Sequence, residues 1–432
     1  MKVGLVSLGC SKNLVDSENL LGWFRANDYT VVTNLKEADT IVINTCGFIE
    51  PAKQEGIETI LELADYKNHN CKNLIVTGCL VQRYHQDLVD ALPEVDAWVR
   101  IQDYPKINEI LSEKLHQDFK VVYGKQERMQ STAKHTAYLK IAEGCSNRCT
   151  YCAIPLIRGG MNSYPLDDLL VEAIKLADNG VKECVIIAQD TSRYGLDQGK
   201  SLLPKLLDEL NKIDGFHWIR LLYQYPDAIT PEILDAMKRN EKVLPYFDIP
   251  IQHANNRLLK LMNRKGTKED IRRVVQNIRE VFPKAILRTT IIVGFPGETE
   301  DDFQELLDFV EEVKFDRLGA FTYSPEEDTV AYDMPDTIEK EVKEDRYHRL
   351  MRLQSLISFE RMQTWMNEVI EVCVESRDPK SLVYHGRSLH SAPDDVDGEV
   401  LFTSNKLLKK GSFVQVRINR VEEYDLFGET VE

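Results

Sequence analysis

Three cysteines, Cys145, Cys149 and Cys152, stand at the spacing CxxxCxxC about a third of the way along the 432-residue chain. Thiolates at such spacing are metal ligands, but a structural zinc site takes four ligands and no further His or Cys lies nearby. A 4Fe-4S cluster held by three cysteines keeps one iron open to a small chelating ligand. The spacing therefore favours a cluster with an open iron, and a zinc knuckle is the alternative.

A second set of cysteines is predicted to converge from distant parts of the chain. Cys10, Cys46 and Cys79 each follow a short apolar run that predicts a strand. The carboxyl ends of parallel strands meet at one edge of a doubly wound sheet, so the three thiols should lie together and hold a second cluster. A glycine stands beside each of them and would let the backbone approach a bulky ligand. These glycines are Gly9, Gly47 and Gly78. The alternative is that each is a small apolar residue at a strand end, as we expect for Cys71.

The elements that position these cysteines begin with residues 1–116, where short apolar runs alternate with amphipathic stretches. The predicted strands are Lys2–Ser7, Thr30–Val32, Thr40–Asn44, Asn73–Thr77 and Ala97–Val99. The predicted helices are Asp16–Ala26, Pro51–Ala64 and Gln82–Leu92. This alternation predicts a parallel sheet with helices on both faces, like that of a flavodoxin. Residues 117–135 are polar without an apolar period and predict a linker.

Residues 136–360 repeat a strand-helix unit six times, which predicts a partial (β/α)6 barrel related to the TIM barrel. The strands are Ala137–Ile141, Glu183–Gln189, Trp218–Leu222, Tyr246–Ile249, Ile286–Val293 and Arg317–Thr322. The helices include Leu166–Asn179, Pro231–Arg239, Lys268–Val281 and Thr299–Val313. Residues 361–432 instead contain closely spaced short strands, which predict a small antiparallel β-barrel related to OB folds. The chain is therefore an α/β multidomain protein.

The composition limits the classes of function. The formal net charge is −16 at pH 7, which argues against a general nucleic-acid-binding protein. The nine cysteines are odd in number and unequally grouped, unlike a secreted disulfide framework. The N-terminal apolar run is too short for a signal peptide, and no stretch approaches the roughly 18 apolar residues of a membrane span. We expect a cytoplasmic protein with reduced thiols.

Five short motifs occupy the predicted strand ends and the cysteine loop. They are SLGCSKNLVDSE at 7–18, NTCGFI at 44–49, TGCL at 77–80, GCSNRCTYCAIP at 144–155 and GFPGE at 294–298. Together they resemble the radical S-adenosylmethionine (SAM) methylthiotransferases over essentially the whole chain. The first two motifs are most similar to the branch that modifies a ribosomal protein, whereas tRNA-modifying relatives of the MiaB type tend to have GCQMN and NTCSVR there. The sequence departs from the family at 160–164, so no cationic contact made there is carried over.

The resemblance implies an N-terminal cluster-binding domain, a radical SAM barrel and a C-terminal TRAM domain. The implied ligands are Cys10, Cys46 and Cys79 for a first 4Fe-4S cluster, and Cys145, Cys149 and Cys152 for a second, SAM-binding cluster. The implied reaction thiomethylates the β-carbon of an aspartate of small-subunit ribosomal protein number twelve, free or in the ribosomal subunit. SAM would serve as methyl donor and radical source, and no catalytic residue beyond the cluster ligands is implied. The other implied partners are a sulfur donor and a reductant such as flavodoxin or ferredoxin. The resemblance implies neither tRNA nor a membrane as a partner.

Polar residues at other strand ends of the predicted barrel are candidate SAM contacts. They are Gln189, Asp190, Ser192, Gln252, Arg288, Thr290 and Gly294. Amide, carboxylate and hydroxyl groups could bind the amino and carboxylate groups of SAM, and the glycine could admit its adenosyl moiety. Ordinary turns also place polar residues after strands, and this alternative stays open.

The charge of the C-terminal segment bears on the choice of substrate. Residues 366–432 contain eight Lys and Arg against thirteen Asp and Glu. A domain that grips tRNA should be basic, whereas an acidic domain suits a basic ribosomal protein. Thiomethylation of a tRNA adenosine is the first alternative, and a non-enzymatic metal-binding scaffold is the second.

Overall fold

The computed structural model describes residues 1–124, 127–335, 337–394 and 396–431. They form two compact units. The first unit comprises Met1–Thr132, Glu143–Asn162 and Ser324–Tyr332, and the second comprises Ala133–Ala142, Ser163–Tyr323 and Asp333–Glu432. Within the predicted linker, Lys125 and Gln126 lie outside the described residues. The predicted domain boundaries at 116, 135 and 360 stay predictions.

The first unit is built on a parallel sheet of five strands. They are β1 (Lys2–Ser7), β2 (Thr30–Val31), β3 (Thr40–Thr45), β4 (Asn73–Gly78) and β5 (Ala97–Val99). Their order is β2-β1-β3-β4-β5, which is the order of flavodoxin-like sheets. The helices are α1 (Ser11–Ala26), α2 (Glu50–Ala64), α3 (Cys79–Ala91), α4 (Ile107–Leu115) and α5 (Ile154–Arg158). The predicted flavodoxin-like domain is confirmed.

Apolar cores cover both faces of this sheet. One includes Trp23, Phe24 and Val42, and the other includes Ile43, Ile60 and Val76. Alternate residues of β3 thus point into opposite cores, which is why this strand reads as a continuous apolar run. Helix α1 begins at Ser11, five residues before its predicted start, because its first turn is polar yet buried.

The second unit contains six parallel strands that succeed one another in chain order. They are β6 (Thr136–Lys140), β9 (Glu183–Ile187), β10 (Trp218–Leu221), β11 (Tyr246–Asp248), β12 (Ile286–Val293) and β13 (Arg317–Thr322), and a short pair, β7 (Ala142–Glu143) and β8 (Asn162–Ser163), lies between the first two in sequence. Ladders join β6-β9-β10 and β11-β12-β13, and one parallel bridge joins Ile219 to Val243 ahead of β11. The helices are α6 (Leu166–Asp178), α7 (Leu203–Asn211), α8 (Pro231–Arg239), α9 (Asn256–Leu261), α10 (Lys268–Val281), α11 (Glu300–Val313) and α12 (Lys340–Gln363). The predicted partial barrel is confirmed.

Five further strands of the second unit close into a small barrel. They are β14 (Val369–Arg377), β15 (Tyr384–Arg387), β16 (Val400–Thr403), β17 (Phe413–Val421) and β18 (Leu426–Thr430). The barrel order is β14-β15-β16-β18-β17. Four pairings are antiparallel as predicted, but β16 and β18 pair in parallel because β17 intervenes between them along the chain. Among the described residues, no helix has the length and apolar character needed to cross a membrane.

A buried chain of charges joins strands within the second unit. The Glu183 carboxylate accepts from Arg220 at 2.8 Å and pairs with Arg387 at 2.6 Å. Arg387 also pairs with Glu375 at 2.7 Å, and the same carboxylate bonds His135 Nε2 at 2.8 Å. Glu375 therefore carries a charge that two neighbours stabilise in the folded state.

Glu375→Gln is expected to make the free energy of unfolding less dependent on pH in the acidic range. Burial opposes ionisation, but hydrogen bonds from His135 and the Arg387 guanidinium lower the pKa of Glu375 from 4.5 to about 2. Its contribution is therefore complete above pH 4.5 and lost as pH falls towards 2. The variant should lose about 2 kcal/mol of unfolding free energy at neutral pH and progressively less towards pH 3, as measured by urea titration.

The matched control is Glu368→Gln, which removes an exposed pair with Lys284 at the start of the same barrel. It should cost less than about 1 kcal/mol. A loss in Glu375→Gln that is the same at pH 7 and pH 3 would contradict the assigned charge.

Candidate metal centre

Cys10, Cys46 and Cys79 lie at the carboxyl ends of β1, β3 and β4, which are adjacent in the sheet. Cys10 is the residue that precedes α1, and Cys79 is the first residue of α3. Burial, opposed by Arg158 and assisted by the charges of Cys10 and Cys46, raises the pKa of the Cys79 thiol to about 11. The three thiols thus lie within electrostatic range of one another, as the topology predicts.

The environment of Cys10 favours its thiolate. Neighbouring protein atoms desolvate the thiol and oppose its ionisation although the residue keeps solvent contact, but Lys12, Arg158 and backbone N–H groups at the start of α1 lower the pKa of Cys10. Helix N-termini stabilise anions, and two of the three cysteines stand at such positions.

The three glycines bring the cysteine-bearing turns into contact. A Cβ on Gly9 would lie 2.8 Å from the Cβ of Cys46, and one on Gly78 would lie 2.3 Å from the Thr45 carbonyl oxygen. A Cβ on Gly47 would lie 2.7 Å from the Cα of Leu80. The glycines therefore permit close packing of the turns on one another. The donor set that results, three thiols from three turns, fits a 4Fe-4S cluster with one iron free of protein ligand.

Cys145, Cys149 and Cys152 lie in a loop that closes on itself. The Cys145 N–H donates to the Gly159 carbonyl at 3.1 Å, and the Cys152 N–H donates to the Cys149 carbonyl at 3.1 Å. A Cβ on Gly144, whose φ is +71°, would lie 2.3 Å from the Gly160 carbonyl oxygen. Three half-buried thiols on one closed loop fit a second three-cysteine cluster.

Arg158 connects the neck of this loop to the first cysteine set. Its guanidinium donates to Glu143 at 2.9 Å and to Asp16 at 3.0 Å, and its Nη2 lies 3.4 Å from the Cys79 sulfur. All four residues belong to the first unit. Arg158 was not among the predicted site residues, because no sequence signal indicates which distant groups a buried arginine contacts.

The segment Ser324–Tyr332 packs on the same unit through a buried carboxylate. Glu326 accepts from Lys53 at 3.2 Å and from Arg83 at 2.9 Å, on α2 and α3. The Ala331 N–H donates to the Thr150 carbonyl, between Cys149 and Cys152, at 2.8 Å. The segment thus contacts helices of the sheet domain and the cysteine loop.

Glu326→Gln is expected to lower the free energy of unfolding by about 3 kcal/mol, since it leaves the buried Arg83 without its anion and leaves Lys53 with only the exposed Glu50 at 2.8 Å. Glu327→Gln is the control, because that side chain is exposed and accepts a single bond from Tyr84. It should cost less than about 1 kcal/mol. Equal losses in chemical denaturation of the two apoproteins would refute the role given to Glu326.

In the second unit, the polar residues after β9 interact mainly with one another. The Ser192 hydroxyl donates to Asp190 at 2.6 Å and accepts from the Tyr225 N–H at 2.9 Å. Arg193 pairs with Asp190 at 3.0 Å. These contacts stabilise the turn that follows Gln189, and the assignment of Gln189, Asp190 and Ser192 to SAM stays a prediction.

Two glutamines at neighbouring strand ends present buried polar atoms without a hydrogen-bond partner in the described chain. Gln252 has φ +70° and donates its N–H to the Thr290 carbonyl at 2.9 Å, while its Oε1 is unpartnered. Gln224, which follows β10, is fully buried with both side-chain polar atoms unpartnered. Such atoms call for a ligand or water. Gln252 was predicted as a SAM contact and Gln224 was missed, although its position after a barrel strand could have indicated it.

The remaining predicted SAM contacts have protein partners. Arg288 pairs with Asp394 at 2.7 Å and with Asp397 at 3.5 Å. The Gly294 N–H donates to Glu298 at 2.7 Å, and Thr290 is half-buried beside Gln252. The assignment of these residues to SAM stays a prediction.

Three known protein families each match a different part of the chain. The Radical SAM superfamily matches residues 139–310, the TRAM domain matches residues 368–431, and the Uncharacterized protein family UPF0004 matches residues 2–100. Among solved structures, the radical S-adenosylmethionine methyltransferase TsrM from Kitasatospora setae has a TM-score of 0.57 at 14% identity, covering 75% of this chain and 76% of that chain. At this identity the likeness concerns the fold alone.

Curated relatives match over the whole length. "Ribosomal protein uS12 methylthiotransferase RimO" of Clostridioides difficile (strain 630) is 51% identical over 441 residues, covering 100% of this chain and 99% of the relative. The protein of the same name from Acetivibrio thermocellus is 47% identical over 446 residues, covering 100% of this chain and 98% of the relative. The predicted resemblance, including its closeness to RimO, is confirmed. The chain belongs to the RimO family of radical SAM methylthiotransferases.

Proposed function

We propose that this chain transfers a methylthio group to the β-carbon of an aspartate in small-subunit ribosomal protein uS12. The observation that carries the proposal is the presence of two separate three-cysteine sites in one compact unit. Two sites suit two tasks, the supply of a methylthio group and the generation of a radical. The name shared by the full-length relatives supports uS12 as the acceptor.

We assign Cys10, Cys46 and Cys79 to the cluster that receives the methylthio group, and Cys145, Cys149 and Cys152 to the cluster that binds SAM. When bound, SAM would supply the methyl group and a 5′-deoxyadenosyl radical that takes hydrogen from an unactivated carbon, and the sulfur donor would supply the sulfur of the methylthio group. Each cysteine set provides three thiolates and so keeps one coordination position open. Within the second unit, the unpartnered polar atoms of Gln252 and Gln224 at the barrel strand ends make these two side chains our candidates for SAM contacts.

The charge of the C-terminal barrel supports uS12 less strongly than its composition suggests. Several of its acids have partners within the second unit, among them Glu371 with His217 at 2.9 Å and Asp394 with Arg288 at 2.7 Å. Glu399 pairs with His385 at 2.8 Å. Arg288 thus neutralises one of these acids, whereas the two histidines carry charge only when protonated, and the acidic excess of residues 366–432 disfavours tRNA as the substrate. We place the reaction in the cytoplasm, with a sulfur donor and flavodoxin or ferredoxin as reductant.

The test offers uS12 and tRNA side by side to the reconstituted holoprotein with SAM, sulfide and reductant. We expect about eight irons per chain, 5′-deoxyadenosine release and a methylthio group on one uS12 aspartate. Modification of tRNA alone would show that the acceptor is wrong. A colourless protein that binds zinc but no iron would refute the proposed enzymatic activity and favour a non-enzymatic metal-binding scaffold.

A further inference from the structure

We propose that Arg158 is a positioning residue for the cluster on Cys10, Cys46 and Cys79, and that its charge, acting through the Cys79 sulfur, raises the reduction potential of that cluster. This inference rests on the proposed function, because it requires the cysteine set to hold a cluster. Arg158 itself lies directly after the other cysteine loop, at the end of α5. A residue of one site would thereby control a property of the other.

The guanidinium of Arg158 is held in place on every side. Its side chain is 1% exposed, and its Nη2 lies 3.4 Å from the Cys79 sulfur and 2.5 Å from Asn13 Oδ1. Asn13 is itself fixed, because its amide donates to the Leu8 carbonyl at 3.1 Å and to the Thr45 carbonyl at 3.0 Å. These carbonyls belong to the turns that carry Cys10 and Cys46. Arg158 and Asn13 together thus contact all three turns that carry the cysteines, and we call this pair of residues the bracket.

The local charges make the sign of the effect clear. Two carboxylates, Asp16 at 3.0 Å and Glu143 at 2.9 Å, accept from Nη1 of Arg158, while Nη2 lies beside the Cys79 sulfur. Reduction adds an electron to a cluster that thiolates already make negative, so a cation and an N–H donor at a ligating sulfur favour the reduced state. Without the guanidinium, the negative charges of Asp16 and Glu143 would stay close to the cluster without their cation. Loss of Arg158 should therefore shift the potential to more negative values.

The same arginine fixes the first cysteine set to the neck of the second. Glu143 immediately precedes Gly144 at the start of the cysteine loop, and the loop closes at Gly159, next to Arg158. The hydrogen bonds from Arg158 to Glu143 and Asp16 therefore connect the loop to α1. Within the first unit, this link gives Arg158 a positional role as well as an electrostatic one.

The experiment uses a chain in which Cys145, Cys149 and Cys152 are alanine, so that a single cluster remains. Its midpoint potential is measured by a redox titration followed by electron paramagnetic resonance, in the parent and in Arg158→Met, Arg158→Lys and Asp16→Asn/Glu143→Gln. Arg128→Met is the matched control, because Arg128 is also buried and pairs with Glu18 on α1 at 2.6 Å.

We expect a more negative potential in Arg158→Met, a potential close to the parent in Arg158→Lys and Arg128→Met, and a more positive potential in Asp16→Asn/Glu143→Gln. A purely structural role would not give shifts of opposite sign. An unchanged potential in Arg158→Met overturns the inference. If Arg158→Met loses its iron, the iron content of Arg158→Lys decides. Full iron in Arg158→Lys supports the role given to the positive charge, and loss of iron from both variants overturns the inference. Absence of iron from the parent would instead refute the proposed function.

Discussion

Alanine at Cys10, Cys46 and Cys79 together is expected to abolish methylthio transfer to uS12 while leaving reductive SAM cleavage intact. Iron should fall by about four per chain, because these three thiols are the proposed ligands of one 4Fe-4S cluster. They come from three adjacent strand ends, and the glycine-bearing turns leave little room for a substitute donor. Iron analysis, 5′-deoxyadenosine release and mass analysis of uS12 measure the three effects.

The control for this variant is Cys71→Ala. Cys71 is buried in the same sheet domain, and its thiol donates to the Asn73 carbonyl at 3.3 Å, so it should keep full iron and activity. Retained 5′-deoxyadenosine release in the triple variant would show that the protein is folded. Methylthio transfer persisting in the triple variant would exclude these cysteines from the reaction.

Alanine at Cys145, Cys149 and Cys152 should give the reciprocal result. SAM cleavage and product formation should both fall below detection, while about four irons stay bound. The reason is that this closed loop is the proposed source of the cluster that binds SAM. Cys184→Ala, in fully buried β9, is the control and should retain both activities. Reductive cleavage of SAM by the triple variant would contradict the assignment.

The convergence of Cys10, Cys46 and Cys79 could be predicted because it depends on topology. Apolar runs bounded by turn residues indicate where the strands lie, and the flavodoxin-like strand order then brings the ends of β1, β3 and β4 side by side. Strands such as Ile286–Val293 were predicted to the residue. The packing of the glycine-bearing turns on one another was not predicted, since a sequence does not show which turn packs against which, and the approach of these glycines to a ligand stays a prediction.

Helices were missed for two different reasons. Helix α7 has buried leucines at helical spacing and could have been predicted. Helix α12 buries polar residues such as Lys343, Arg346 and Gln354, so its apolar period is weak. Long-range side-chain contacts of this kind also explain why the bracket of Arg158 and Asn13 became evident only in the folded chain.

The most direct test of the central claim is mass analysis of uS12 isolated from cells that lack this gene. The account predicts that uS12 from the parent strain carries one methylthio group on an aspartate, and that uS12 from the deletion strain lacks it until the gene is restored. The Cys10→Ala/Cys46→Ala/Cys79→Ala gene should not restore the modification. A uS12 mass that is identical in the parent and deletion strains would contradict the account.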